Sequence, residues 1–127
     1  MNHPSHITSA ELDVLKVLWD LEAGTVRDVL AHAADRDWAY TTAQTLLGRL
    51  VDKGFVERIK AGRAFTFRPL VDRDALLGAE LDDLAERLSE GQPMPLLLNL
   101  VHSRRVSPGD LQHLRKLIDE LDEEESA

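Results

Sequence analysis

Between Thr41 and Arg49 the chain sets three threonines, a glutamine and an arginine among apolar residues, a mixture that can touch nucleic acid. Ala43, Leu46, Leu47, Leu50 and Val51 recur at i, i+3, i+4, i+7 and i+8, the stripe of an amphipathic helix. At about 100° per residue, Thr41, Thr45, Gly48 and Arg49 project from the opposite side, with Thr42 and Gln44 on the flanks. That outer face is small, hydroxylated and basic. A glutamine amide can pair with the adenine edge, a threonine can meet a thymine methyl or an acceptor, and arginine can hold a phosphate. Farther along, Lys60 and Arg63 flank the Ala61-Gly62 turn. Each of these residues is also ordinary solvated surface unless its surroundings single it out.

The charge distribution does so. The 127-residue chain carries a net charge of −8, which taken whole opposes phosphate binding. Residues 1–70, however, hold nine basic and nine acidic side chains, whereas residues 71–127 hold six against fourteen. Within residues 41–68, Arg49, Lys53, Arg58, Lys60, Arg63 and Arg68 face only Asp52 and Glu57, a local excess of four positive charges. One short basic segment therefore sits in an acidic protein. All six aromatic residues also precede position 70, after which leucine supplies the apolar surface.

Other chemistry is poorly served. With no cysteine there is no disulfide, thiolate metal site or cysteine nucleophile, in keeping with a reducing cytoplasm. His3, His6, His32, His102 and His113 show no ligand spacing, so neither metal nor cofactor is expected. There is no glycine-rich phosphate loop and no serine in a nucleophile elbow, so an enzyme is not expected. Met1-Asn2-His3-Pro4 lacks the basic and apolar regions of a signal peptide. The most apolar stretch, Met94 to Val101, falls far short of the roughly 20 residues of a membrane span. The expectation is a cytoplasmic chain without membrane insertion.

The elements around the candidate face can be read in order. Thr8 with Glu11 forms a capping box, and Ile7 can staple against Leu12, opening a first helix whose Leu12, Leu15, Leu18 and Trp19 continue towards Gly24. Thr25 with Asp28 opens a second helix, buried through Val26, Val29, Leu30 and Ala33 and ending near Asp35 to Asp37. The third helix carries the outer face and stops at Gly54. Strands Phe55 to Lys60 and Arg63 to Arg68 then make a hairpin. Trp19 and Trp38 are expected in the core, while Tyr40 can equally pack or touch a phosphate. Three helices followed by a basic hairpin is the order of a winged helix-turn-helix, with the second and third helices as the helix-turn-helix and the hairpin as the wing.

The remainder predicts three helices. Asp72 caps one running to about Ser89, Leu96 to about Ser103 forms a short one after the Gly91 to Pro95 break, and Ser107-Pro108 starts the last. The acidic end, Asp122 to Glu125, is expected to be frayed or disordered. So little chain makes a thin core, and a two-chain interface is its natural completion. Leu77, Leu81, Leu84, Leu88, Leu97, Leu100, Leu114, Leu117 and Leu121 are the candidate dimerisation residues. The fold class is thus mainly α with a small β-hairpin. A winged helix-turn-helix domain, residues 1–70, precedes a helical dimerisation domain with an acidic tail, residues 71–127.

With these segments assembled, the chain resembles the penicillinase-repressor (BlaI/MecI) family of winged-helix regulators over nearly its whole length. The matching stretches are Ile7 to Glu11 running to Leu18-Trp19, then Trp38, Thr42, Thr45-Leu46-Leu47, Arg49-Leu50 and Lys53-Gly54. Gly62-Arg63 with Phe65 and Phe67, and the Asp110 to Leu121 helix, complete the match. The resemblance implies a homodimeric repressor that lays its third helix in the major groove of inverted-repeat, double-stranded operator DNA. It implies contacts from Thr42, Thr45 and Arg49. Where penicillinase-type members commonly have Ser-Pro-Lys-Thr, this chain has Ala39-Tyr40-Thr41-Thr42, so its operator should differ. In those members a membrane sensor protease cuts between asparagine and phenylalanine; the matching bond here is Asn99-Leu100, the candidate proteolytic site. The cysteine hook of the copper-responsive branch has no counterpart.

Two other functions fit the same residues. A winged helix can meet a partner protein through the outer face of its third helix without binding specific DNA, and the acidity of the whole chain favours that alternative. A small-molecule site among the C-terminal leucines is compatible with DNA binding.

Overall fold

The computed structural model describes residues 6–103 and 105–126, which form six α-helices and one antiparallel hairpin. Helix α1 (Ser9–Leu21) begins where its capping box requires. The Thr8 N–H donates to Glu11 Oε1 at 2.9 Å and the Glu11 N–H to Thr8 Oγ1 at 3.2 Å. Ile7 and Leu12 both lie half-buried against the core, as a staple needs. Helix α2 (Val26–His32) repeats the device with Thr25 and Asp28, and a single 3₁₀ turn, Ala34–Arg36, leads on to α3 (Tyr40–Asp52).

Strands β1 (Val56–Ala61) and β2 (Ala64–Pro69) pair in register from Val56↔Pro69 to Ala61↔Ala64. The two turn residues are Gly62 and Arg63, one position later than the sequence suggests. Gly62 has φ 66° at the first central position of the turn, where a hairpin of this hand needs positive φ and glycine supplies it without strain. Gly24, just before α2, joins the hairpin as a bridge: its N–H donates to Phe67 O at 3.0 Å and the Phe67 N–H to Gly24 O at 2.8 Å. The start of α2 is thereby tied to the wing.

Leu15 and Leu18 of α1, Val29 of α2, and Leu47 and Leu50 of α3 are buried together, and Val56 and Phe67 seal them from the hairpin side. Trp19 and Trp38 sit half-buried at the edge of this core. The Trp19 Nε1–H donates to Val71 O at 2.8 Å, fixing the entry to α4 (Arg73–Ser89). Asp72 caps that helix by accepting the Ala75 N–H at 2.7 Å, and Leu76 drops into the same core with Val71 beside it.

Helix α4 runs from one compact unit, Met1–Glu80, into a second, Leu81–Ala127. The second unit also contains α5 (Met94–His102) and α6 (Pro108–Ser126). Helix α5 starts two residues before Leu96, because Pro95 is tolerated in a first turn where its missing N–H has no helical partner. Helix α6 opens with a reciprocal Ser107–Asp110 cap and stays helical to Ser126. The acidic segment Asp122 to Glu125, expected to be frayed or disordered, is therefore helix; its three glutamates propagate one well, with no glycine or proline after Gly109 to stop it.

Among the described residues of the second unit, Ala85 is the only buried apolar side chain. Leu81, Leu88, Leu97, Leu100, Leu117 and Leu121 are exposed, Leu88 by 70%, and Leu84 and Leu114 are half-buried. Leu77, on the preceding turn of α4, is exposed too. No helix among the described residues is long and apolar enough to cross a membrane.

Candidate nucleic-acid interface

Helix α3 is held by its apolar stripe rather than by its first turn. Ala39 occupies the N-cap and contributes no side-chain hydrogen bond, so the initial amides lack the cap that serine or aspartate would provide. At the other end Gly54 takes φ 85°, and the Phe55 N–H donates to Leu50 O at 3.0 Å, ending the helix and turning the chain into the hairpin. Ala43, Leu46, Leu47 and Leu50 are buried. Thr41, Thr42, Gln44, Thr45 and Arg49 are all exposed, as helical periodicity predicts.

The structure divides that outer face into two rows. Tyr40, Gln44 and Gly48, at i, i+4 and i+8, line a groove of about 390 Å³ whose other walls are Thr25 and Arg27 from the start of α2 and Arg58, Arg63 and Phe65 from the hairpin. Thr41, Thr45 and Arg49 form the next row round the helix, outside the groove. Gln44 and Arg63 are thus brought together, while Lys60, exposed near the tip of β1, is not among the groove residues.

Ion pairing decides which of the local cations remain available. Lys53 donates to Glu11 Oε1 at 2.7 Å and to His6 O at 3.0 Å, so its charge is used in holding the C-cap of α3 against α1. Arg68 pairs with Glu57 across the hairpin through its Nε at 3.0 Å. Arg49, Arg58, Lys60 and Arg63 form no ion pair among the described residues, and all are exposed. Two of the six basic residues thus serve the fold. The other four present charge to solvent.

Among the described residues Glu11 is the one buried charge, 1% exposed. Burial alone would push its carboxyl up. The hydrogen bond from Lys53, that from the Thr8 backbone N–H and the Lys53 charge outweigh burial and hold it below the usual carboxylate value.

Two cations that line the groove are not among the candidate contact residues the sequence singles out. The Arg27 guanidinium lies 5.5 Å from the Tyr40 ring centroid, and that of Arg58 lies 4.8 Å from the Phe65 centroid. Arg58 had a signal in the basic run. Arg27 had none, because its aromatic partner lies thirteen residues away and the Gly24–Phe67 bridge that sets its position is a tertiary feature. Among the histidines, His32 sits 3.3 Å from Asp20 and His6 lies 3.7 Å from Glu80, while His3 falls outside the described residues.

Comparison with known proteins follows the same lines. The penicillinase repressor family model matches residues 7–120. The methicillin resistance regulatory protein MecI of Mammaliicoccus sciuri is 26% identical over 118 residues, covering 92% of this chain and 96% of that protein. The transcriptional regulator BlaI of Mycobacterium tuberculosis is 37% identical over 115 residues, covering 88% and 82%. The solution structure of the DNA-binding domain of the repressor BlaI superposes with a TM-score of 0.51 at 33% identity, covering 59% of this chain and 93% of that domain. A winged helix whose exposed third helix and hairpin carry four unpaired cations, matched by one family over almost the full chain, has one assignment: the protein belongs to the penicillinase repressor family.

Proposed function

We propose that this protein represses transcription by occupying an inverted-repeat operator as a homodimer in the cytoplasm, and that it is not an enzyme. One observation carries the reading: the four cations left unpaired in the basic segment all lie on the outer face of α3 or on the hairpin, the two elements a winged helix presents to DNA. Helix α3 enters the major groove with Thr41, Thr42 and Thr45 near base edges, while Gln44, on the row that faces the hairpin, contacts DNA where the bases meet the backbone. Arg49 meets a phosphate, since it lies in the last turns of the helix while base contacts come mainly from its N-terminal part. Lys60 and Arg63 reach the flanking backbone or minor groove from the wing. Duplex DNA is accordingly the first partner.

The second partner is another copy of the chain. Residues 1–70 act as the DNA-binding domain and residues 71–127 as the dimerisation domain, joined through Leu77, Leu81, Leu84, Leu88, Leu97, Leu100, Leu114, Leu117 and Leu121. In support, these leucines stand exposed or half-buried in the single chain, and exposed apolar surface on that scale calls for a cover. Two recognition helices then span half-sites about one turn apart, roughly 10 bp centre to centre. A membrane sensor protease is the candidate relieving partner, acting at Asn99-Leu100. That bond lies within α5, where the Asn99 amide donates to Pro95 O at 2.9 Å, so cleavage requires α5 to unwind.

The experiment is selection of bound fragments from sheared genomic DNA by the purified protein at two salt concentrations. Enrichment of one inverted repeat that survives moderate salt is the expected result. Absence of any enriched repeat at both concentrations would transfer the outer face of α3 to a protein partner.

A further inference from the structure

We propose that Arg27 and Arg58 form a phosphate clamp across the groove between α2, α3 and the hairpin, and that this groove takes the sugar-phosphate backbone of one strand of duplex DNA. The inference rests on the operator-binding reading and adds to it two residues outside the recognition row.

Three observations converge on the groove. First, both guanidiniums rest on aromatic rings of the groove wall, Arg27 over Tyr40 and Arg58 over Phe65. A stacked guanidinium keeps the N–H groups at its edge free to donate in the ring plane, and its orientation is fixed before a ligand arrives. Second, neither arginine forms an ion pair among the described residues, so the stacks hold charge that no carboxylate cancels. With Arg63 they make three cations around one opening. Third, the floor is low. A Cβ built on Gly48 would meet nothing within 4 Å, so packing does not require glycine there, yet any side chain at that position would rise into the groove.

The fold also fixes the span of the clamp. Arg27 sits three residues after Gly24, whose two backbone hydrogen bonds to Phe67 tie α2 to β2, so the helix and the wing cannot separate without breaking that bridge. An elongated polyanion that passes between a recognition helix and its wing fits such an opening. Contacts of this kind set register and affinity but carry no sequence information.

The test is equilibrium binding of the full chain, across a salt series, to the duplex enriched from genomic fragments and to an unrelated duplex of equal length. Arg27→Ala and Arg58→Ala should each weaken both duplexes by roughly tenfold, and the pair together should lower the salt slope by about two. Tyr40→Leu should weaken binding with the slope unchanged, since it removes the platform and keeps the charge. Gly48→Leu, which fills the groove at constant charge, should weaken both duplexes while the protein stays folded. If the double arginine variant keeps the parental slope, or Gly48→Leu binds as the parent does, the clamp is wrong while the operator reading stands. If the parent itself binds neither duplex in a salt-dependent way, both fall together.

Discussion

Lys53 Nζ stands 2.7 Å from Oε1 of Glu11, joining the C-cap of α3 to the capping box of α1. Glu11 therefore serves two structures at once. Its Oε1 satisfies the Thr8 N–H that opens α1 and receives the lysine that anchors the end of the recognition helix. Oε2 has no hydrogen-bond partner among the described residues, so the pair depends wholly on the other oxygen.

Removing the lysine should thus be costly. Lys53→Met leaves a buried carboxylate without its counter-charge and should destabilise the first unit by about 3 kcal/mol. The pH dependence has a definite sign. Because Glu11 is held below its ordinary value in the folded chain, its contribution is complete above that value and fades as pH falls through the lower, folded one. In Lys53→Met the lowering is lost, and acid unfolding should begin at higher pH. Thermal melts of both proteins between neutral and acid pH check this; coincident acid limbs would mean the pair contributes nothing.

Arg63 is the second turn residue of the wing and has no ion-pair partner among the described residues. Arg63→Ala should weaken binding to all duplexes and reduce the salt slope by about one. A change confined to one base position, read by competition among single-base operator variants, would show that the wing reads sequence instead.

Gly48 lies inside α3, where glycine costs about 1 kcal/mol relative to alanine. With nothing within 4 Å of its added Cβ, Gly48→Ala should raise stability by about that amount. A lower melting temperature by circular dichroism would mean that α3 packs more tightly against its neighbours than described.

Leu117 is 46% exposed on α6 and Leu97 39% exposed on α5. Charging them, as Leu97→Asp and Leu117→Asp, should yield a monomer at micromolar concentration and lower operator affinity, because two half-sites are no longer engaged through one molecule. Sedimentation velocity decides it. A parent protein that is already monomeric would remove the dimer from the mechanism.

Local signals made much of the fold legible. The capping boxes at Thr8 and Thr25 marked both helix starts, since a cap is a bond between residues three apart. The stripe from Ala43 to Val51 defined the outer face of α3, as periodicity requires only one helix. The wing turn was displaced by one residue, because the pattern Ala61-Gly62-Arg63-Ala64 allows either neighbouring pair at the tip and cross-strand register decides between them. The charge of the acidic end of α6 predicts fraying, yet its glutamates favour helix and the helix continues through them.

The sequence by itself determined the winged-helix order, the basic segment, and the leucine surface in search of a cover, because each is written in residues near one another along the chain. Only the tertiary structure decided how the six cations divide. Lys53 and Arg68 are used against Glu11 and Glu57, whereas Arg58 and the distant Arg27 stack on rings around a common groove. A charge count cannot separate those roles. Whether a cation is neutralised or presented depends on which carboxylate or ring the fold brings within a few ångströms, and that is set by packing between segments far apart in sequence.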